Sequence, residues 1–192
     1  MSFDFSVVRQ DRFIEATRDS GYKGTDSALS ELIDNALQAR AKRVAIRMRV
    51  TEEESFGPGK PRQPRVTEVA IADNGRGMDA ETLRRALRFG DSSRFNDRAG
   101  MGRFGMGLPN SSVSQAKRVE VYTWRRGMKP IWTYLDVDEI SSGDMVEIPE
   151  PVQASLPAIY QDVTRSPSGT LVIWKECDRL DLNQAFSPLL VA

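Results

Sequence analysis

The stretch GMGRFGMGLPN, Gly100 to Asn110, puts four glycines into eight residues and then turns apolar and helix-like. Its letters contain Gly100-x-Gly102-x-x-Gly105, the dinucleotide fingerprint, and Gly100-x-x-x-x-Gly105, the opening of a P-loop. Both fail on context. A P-loop needs Lys and then Ser or Thr after its last glycine, to reach phosphate and metal; Met106 and Gly107 stand in those places. A dinucleotide fingerprint follows directly on a buried strand, whereas this run follows the polar GDSSRFNDRA, Gly90 to Ala99. Two readings stay open at this point. One is a surface loop with no task. The other is a cradle in which bare backbone brings N–H groups onto an anion at the start of a helix, where the dipole favours negative charge.

Upstream of the glycines, apolar residues from Phe5 to Asp19 (Val7, Val8, Phe13, Ile14, Ala16) suit a helix that SGYKG, Ser20 to Gly24, stops. Thr25 or Asp26 is positioned to cap a second helix. Its Leu29, Leu32, Ile33, Ala36 and Leu37 share one face, and it ends near Arg40. RVAIRMRV, Arg43 to Val50, alternates like a half-buried strand. A polar loop separates it from VTEVAIA, Val66 to Ala72, and the two strands are expected to neighbour each other. After DNGRGMD a short helix runs from Asp79 to Phe89. Downstream come a helix from about Phe104 to Gln115 and the strands KRVEVYTW (to Trp124), PIWTYLDV (to Val137) and GTLVIWKE (Gly169 to Glu176), with part helix and part loop between Pro149 and Pro167. No internal repeat is evident. This order of mixed helices and expected hairpin strands suits an α+β sandwich with helices on one face of a sheet.

Composition narrows the function classes. With 192 residues, 40% of them hydrophobic, the chain is long enough for one domain with a real core. Lys plus Arg equals Asp plus Glu at 27 each, so no overall field favours nucleic acid or anionic lipid. The single Cys177 rules out an internal disulfide and a cysteine-rich zinc site. The complete lack of histidine removes His-based triads, His metal ligands and a phospho-accepting histidine within these residues. No run reaches membrane-spanning length and no signal-peptide order is seen, so a soluble, cytoplasmic protein without membrane contact is expected.

Four elements carry candidate chemistry. Glu31, Asp34, Asn35 and Gln38 project within about a third of a helix circumference, opposite the apolar stripe. Asp73-Asn74-Gly75-Arg76-Gly77 closes a very apolar strand; the glycine stretch follows; and a Gly-Thr pair, Gly169-Thr170, opens the last strand. Taken singly these read as a solvated helix face, a turn, a loop and a strand start. Together, in this order, they resemble the GHKL ATPases, the group of gyrase, Hsp90, MutL and the sensor histidine kinases. ELIDNALQA resembles the family's N-box, DNGRGM its Asp-x-Gly-x-Gly box, GRFGMGLPNSS its lid-and-phosphate box, and Gly169-Thr170 its adenine-side threonine. The resemblance runs from about Ser27 to Trp174, and Phe-Gly-x-Ser at Phe89 to Ser92 is most similar to the Hsp90 and MORC branches.

The resemblance implies a Bergerat-type two-layer α+β sandwich, a mixed and mostly antiparallel sheet with helices on one face. It also implies roles. Glu31 would be the general base for the attacking water, Asn35 would give Mg2+ an oxygen, and Asp34 would support them. Asp73 would accept the adenine amino proton, an arrangement that rejects guanine. Gly75 and Gly77 would let the backbone close on the base, Met78 would pack on the ring, and Thr170 would bond the adenine side. Gly102, Arg103, Phe104, Gly105, Met106 and Gly107 would cradle the phosphates, with Gly90 to Gly100 as a lid. The implied function is an ATP-binding and ATP-hydrolysing domain (residues 1–180) of an ATP-driven conformational machine. Residues 181–192 would begin a truncated continuation. Its partners would be ATP and ADP, a second copy in an ATP-dependent homodimer of the full-length protein, and an unknown protein or DNA client. Such an isolated domain is expected to be slow and largely monomeric. The rivals are a histidine-kinase-type catalytic module, which usually carries Asn at the place of Glu31, and a nucleotide sensor with little turnover.

Overall fold

A long run of successive residues that are all buried has to sit inside a sheet with both faces covered, and two strands of this chain contain one, at residues 68–72 and 169–174. In the computed structural model, which describes residues 9–52, 64–90 and 107–180, these are β2 (Pro64–Asp73) and β6 (Gly169–Cys177). Around them lie α1 (Gln10–Ser20), α2 (Thr25–Gln38), β1 (Val44–Glu52), α3 (Ala80–Ala86), α4 (Gly107–Val113), β3 (Ala116–Trp124), β4 (Ile131–Asp136), α5 (Val137–Ser142), β5 (Val152–Gln153) and a 3-10 turn at Ala158–Tyr160. The sheet order is β1-β2-β6-β3-β4-β5, and each of its five pairings is antiparallel. β1 and β2 pair as expected, with a register shift at Arg49/Val50. The last strand inserts between β2 and β3, which brings Asp73 opposite Thr170 and Thr170 opposite Thr123.

Side-chain alternation divides the core in two. Val69, Ile71, Val119, Val121, Val172 and Trp174 face the helices, where they meet Ile14, Leu29, Leu32, Leu83, Leu87 and Val113. Truncating one of the fully buried leucines, Leu29 or Leu83, to alanine costs about 2–5 kcal/mol. Ala70, Ala72, Leu171 and Ile173 point the other way. There Trp124, Tyr160 and Val163 cover them, so the segment before β6 shields part of the second face. The carboxylates of Glu68 and Glu120 are buried on that same face and are held by partners: Tyr160 donates to Glu68, and Arg118 and Lys175 pair with Glu120 at 3.2 and 3.0 Å.

Several local expectations change. Leu37, assigned to the apolar stripe of α2, is 59% exposed, because the buried face is built by Ala28, Leu29, Leu32 and Ala36 and Leu37 rotates past its edge. Gly24, not Thr25 or Asp26, occupies the N-cap of α2. Thr25 is the first helical residue, and its buried hydroxyl donates to Gln115 Oε1 at 2.7 Å. Val137 leaves the strand and starts α5, since Asp136 accepts from the N–H groups of Asp138 and Glu139 and Gly143 ends the helix at φ +86°. The Asp136-x-x-Glu139 spacing was a legible helix signal. α1 begins at Gln10, and residues 5–8 lie outside the described residues.

Candidate functional site

One end of the sheet, where β2 stops and β6 starts, opens into a cavity of about 500 Å³ between α2, α3 and the beginning of α4. Leu32, Ala36, Ile71, Met78 and Val172 give it apolar walls; Asn35, Asp73 and Thr170 are set among them, and Arg76, Arg85 and Arg125 also line it. Its size and its few polar groups in an apolar surround are those of a small-molecule site.

The polar centre is Asp73. As the last residue of β2 it is held by its own turn: Gly75 N–H donates to Asp73 Oδ1 at 2.6 Å, and the N–H and hydroxyl of Thr170 also bond the carboxylate. Burial still pushes its carboxyl above the ordinary aspartate value, against the pull of those bonds. The turn is tied to the end of α2. Asn74 Oδ1 accepts from the N–H groups of Lys42 and Arg43, both at 2.8 Å, and Arg76 N–H donates to Ala39 O at 3.0 Å. The glycine requirement is steric. Gly77 has φ +68° and lies so near β3 that an added Cβ would come 2.1 Å from Trp124 O. Met78 N–H then donates to Thr123 Oγ1 at 2.9 Å, and that hydroxyl donates to Gly169 O at 3.0 Å. Thr123 thus joins the glycine turn to the start of β6. Nothing in the sequence marks it, because a threonine inside an alternating strand carries no signal of its own.

α2 contributes the second group of residues. Asn35 lines the cavity, and its Nδ2 is buried with no hydrogen-bond partner. A buried amide donor without a partner is costly, and here it sits in a wall that a ligand would contact. Gln38 lines the cavity as well. Glu31 and Asp34, on the same helix, are absent from the lining. Glu31 instead packs on α4: a Cβ added at Gly107 would lie 1.9 Å from Glu31 Oε1. Its other oxygen accepts from the Tyr22 hydroxyl at 3.0 Å. That phenol, pushed up to about 12 by burial and by Glu31, stays a donor through the neutral range. Asp34 stands near enough to add to this shift.

Of the expected site residues, the cavity therefore collects Asn35, Asp73, Gly77, Met78, Gly107 and Thr170. Gly75 is buried behind Asp73, between that carboxylate and Ala39. Gly102, Arg103, Phe104, Gly105, Met106 and the expected lid segment from Asp91 to Gly100 lie outside the described residues. Arg85 and Arg125 are additions that the sequence did not mark: Arg85 is on α3 and Arg125 just after β3, where it pairs with Asp79 at 3.0 Å. Among the described residues no group of three or more Asp, Glu, Cys or His side chains is arranged to hold a metal ion, and no helix is long and apolar enough to cross a membrane.

A half-buried carboxylate set among apolar walls suits a ligand that donates hydrogen bonds from an apolar body. The arginines and the start of α4 suit a negative extension of that ligand. No curated protein matches the chain significantly. A family profile described as histidine kinase-, DNA gyrase B-, and HSP90-like ATPase matches residues 22–170, from the tyrosine that touches Glu31 to the threonine that bonds Asp73. With most of its length matched and all the cleft residues but Val172 inside the match, the chain belongs to this GHKL family of ATPases, as an ATP-binding module with an open antiparallel sheet.

Proposed function

We propose that this chain is the ATP-hydrolysing domain of an ATP-driven conformational machine of the Hsp90, MORC and MutL kind, with Glu31 as its general base. The observation that carries the reading is the contact between the Glu31 carboxylate and Gly107 at the first turn of α4. A base acts only within reach of the proton it takes, and α4 opens the helix whose preceding glycines are read as the phosphate cradle. Asn35 fits Mg2+, since it offers an amide oxygen to a cation that keeps most of its ligands as water and phosphate. When bound, the ion would neutralise charge on the transferred phosphoryl group.

In this reading adenine enters the cleft with its amino group donating to Asp73 and its edge toward Thr170, while Met78 packs against the ring. Glu31 takes a proton from water, the water oxygen bonds the γ-phosphorus, and the bond to the β-phosphate oxygen breaks to leave ADP. Closure of the segment from Gly90 to Gly100 over the phosphates, and pairing with a second copy, would convert the nucleotide cycle into movement. A cytoplasmic setting and a protein or DNA client belong to the same proposal. Glu31 favours this over the kinase-type module, whose usual residue there is Asn.

Two measurements test it. Calorimetry with Mg2+ is expected to show tighter binding of ATP than of GTP; equal affinities would remove the adenine role of Asp73. Steady-state phosphate release is expected to fall about 10²–10⁴-fold in Glu31→Gln, with ATP affinity within several fold of wild type. Turnover that is negligible in wild type and unchanged by Glu31→Gln would favour the nucleotide-sensing alternative.

A further inference from the structure

The loop between α1 and α2 has no regular structure, yet it is fixed at several points. Gln115, only 1% exposed at the junction of α4 and β3, donates from Nε2 to the Tyr22 carbonyl at 3.0 Å and to Ser114 Oγ at 3.1 Å. Its Oε1 accepts from Thr25. Gly21 lies so close beneath that a Cβ there would come 2.8 Å from Asn110 Oδ1 and 2.9 Å from Thr17 O. The Tyr22 side chain packs against the helix-side core, and its hydroxyl ends on Glu31 Oε2.

Both ends of α4 therefore act on one carboxylate. Its first residue, Gly107, lies against Oε1, and the junction after its last turn controls Oε2 through Gln115 and the Tyr22 backbone. We infer that Tyr22 is a positioning residue for Glu31, which holds the carboxylate so that Oε1 is the oxygen directed at the reacting water; this rests on Glu31 being the base. Tyr22 does not line the cavity, and its hydroxyl bonds Glu31, so its work is on the orientation of the base. A glutamate side chain has several rotatable bonds, and on a helix surface it would sample many directions. One charge-assisted bond from a residue itself anchored by a buried amide removes most of that freedom.

The test uses Tyr22→Phe, Glu31→Gln and the double variant, each measured for ATP affinity by calorimetry and for kcat by phosphate release. Tyr22→Phe keeps the ring in its packing and removes only the donor. The expected result is unchanged ATP affinity and a kcat lower by about 10–100-fold, the loss seen when an orienting outer partner of a reacting ligand is removed. Added to Glu31→Gln, the same substitution should cause no further loss, because two residues acting as a unit are not additive. Wild-type or raised kcat in Tyr22→Phe, or a loss that multiplies with that of Glu31→Gln, overturns the role of Tyr22 and leaves the base assignment standing. Wild-type turnover in Glu31→Gln overturns the base assignment, and the role of Tyr22 with it.

Discussion

Gly107→Ala separates folding from chemistry at a single methyl group. The backbone at Gly107 does not require glycine: it is the first residue of α4 and is not among the positive-φ positions. Alanine is the better helix residue, by about 1 kcal/mol in a helix interior. The obstacle is Glu31, whose Oε1 and Cδ would lie 1.9 and 2.6 Å from the new Cβ. The carboxylate has to retreat by about 1 Å or more to restore an ordinary contact, and a 1 Å misplacement of a reacting group costs about 10²-fold in rate. The Cβ points at Glu31, and the Gly107 N–H is unchanged. The variant is therefore expected to melt no lower than wild type, to bind ATP within several fold of it, and to release phosphate about 10²-fold more slowly. Thermal denaturation, calorimetry and steady-state phosphate release measure the three quantities on one preparation. Wild-type turnover in Gly107→Ala, with Glu31→Gln inactive, would show that catalysis uses a Glu31 orientation remote from α4, and the geometric reasoning would fall.

Asp73→Asn should abolish ATP binding in calorimetry, because the amide can present a donor where an acceptor is needed. Burial raises the Asp73 carboxyl above its ordinary 3.8, so the folded chain holds that proton to a higher pH than the unfolded chain. The contribution of Asp73 to stability thus falls as pH rises through the window from 3.8 to the raised value, and melts across that window should show a smaller decline in Asp73→Asn than in wild type. Thr123→Val leaves Met78 N–H and Gly169 O without their shared partner. It should lower stability in urea unfolding by about 1–3 kcal/mol for each group stranded out of reach of water; an unchanged unfolding midpoint would argue against the bracing role of Thr123. Gly77→Ala meets both a positive φ and the Trp124 carbonyl, and should lose ATP binding together with a melting temperature several degrees lower, as expected for about 1–2 kcal/mol or more of backbone strain.

The four motifs were legible because each is local chemistry in a short stretch. An Asp-Asn-Gly turn after an apolar strand, glycines before a helix, an acidic helix face and a Gly-Thr strand start can be recognised without knowing what they touch. Most helices and strands were legible for the same reason, since burial imposes a period of 3.6 or 2 on the residues themselves. Pairing across the chain left no such trace. Nothing in GTLVIWKE says that it slides between β2 and β3, yet that insertion is what sets Thr170 against Asp73 on one side and Thr123 on the other. The same holds for Tyr22 and Gln115. A tyrosine in a turn and a glutamine before a strand are ordinary surface residues until the packing of α4 against α2 buries the amide and brings the phenol to Glu31. Residue type and order determined which chemistry this chain carries. Only tertiary structure decided which side chains orient it, because orientation depends on contacts between distant residues, such as Tyr22 and Gln115, 93 positions apart, whose partners no local pattern encodes.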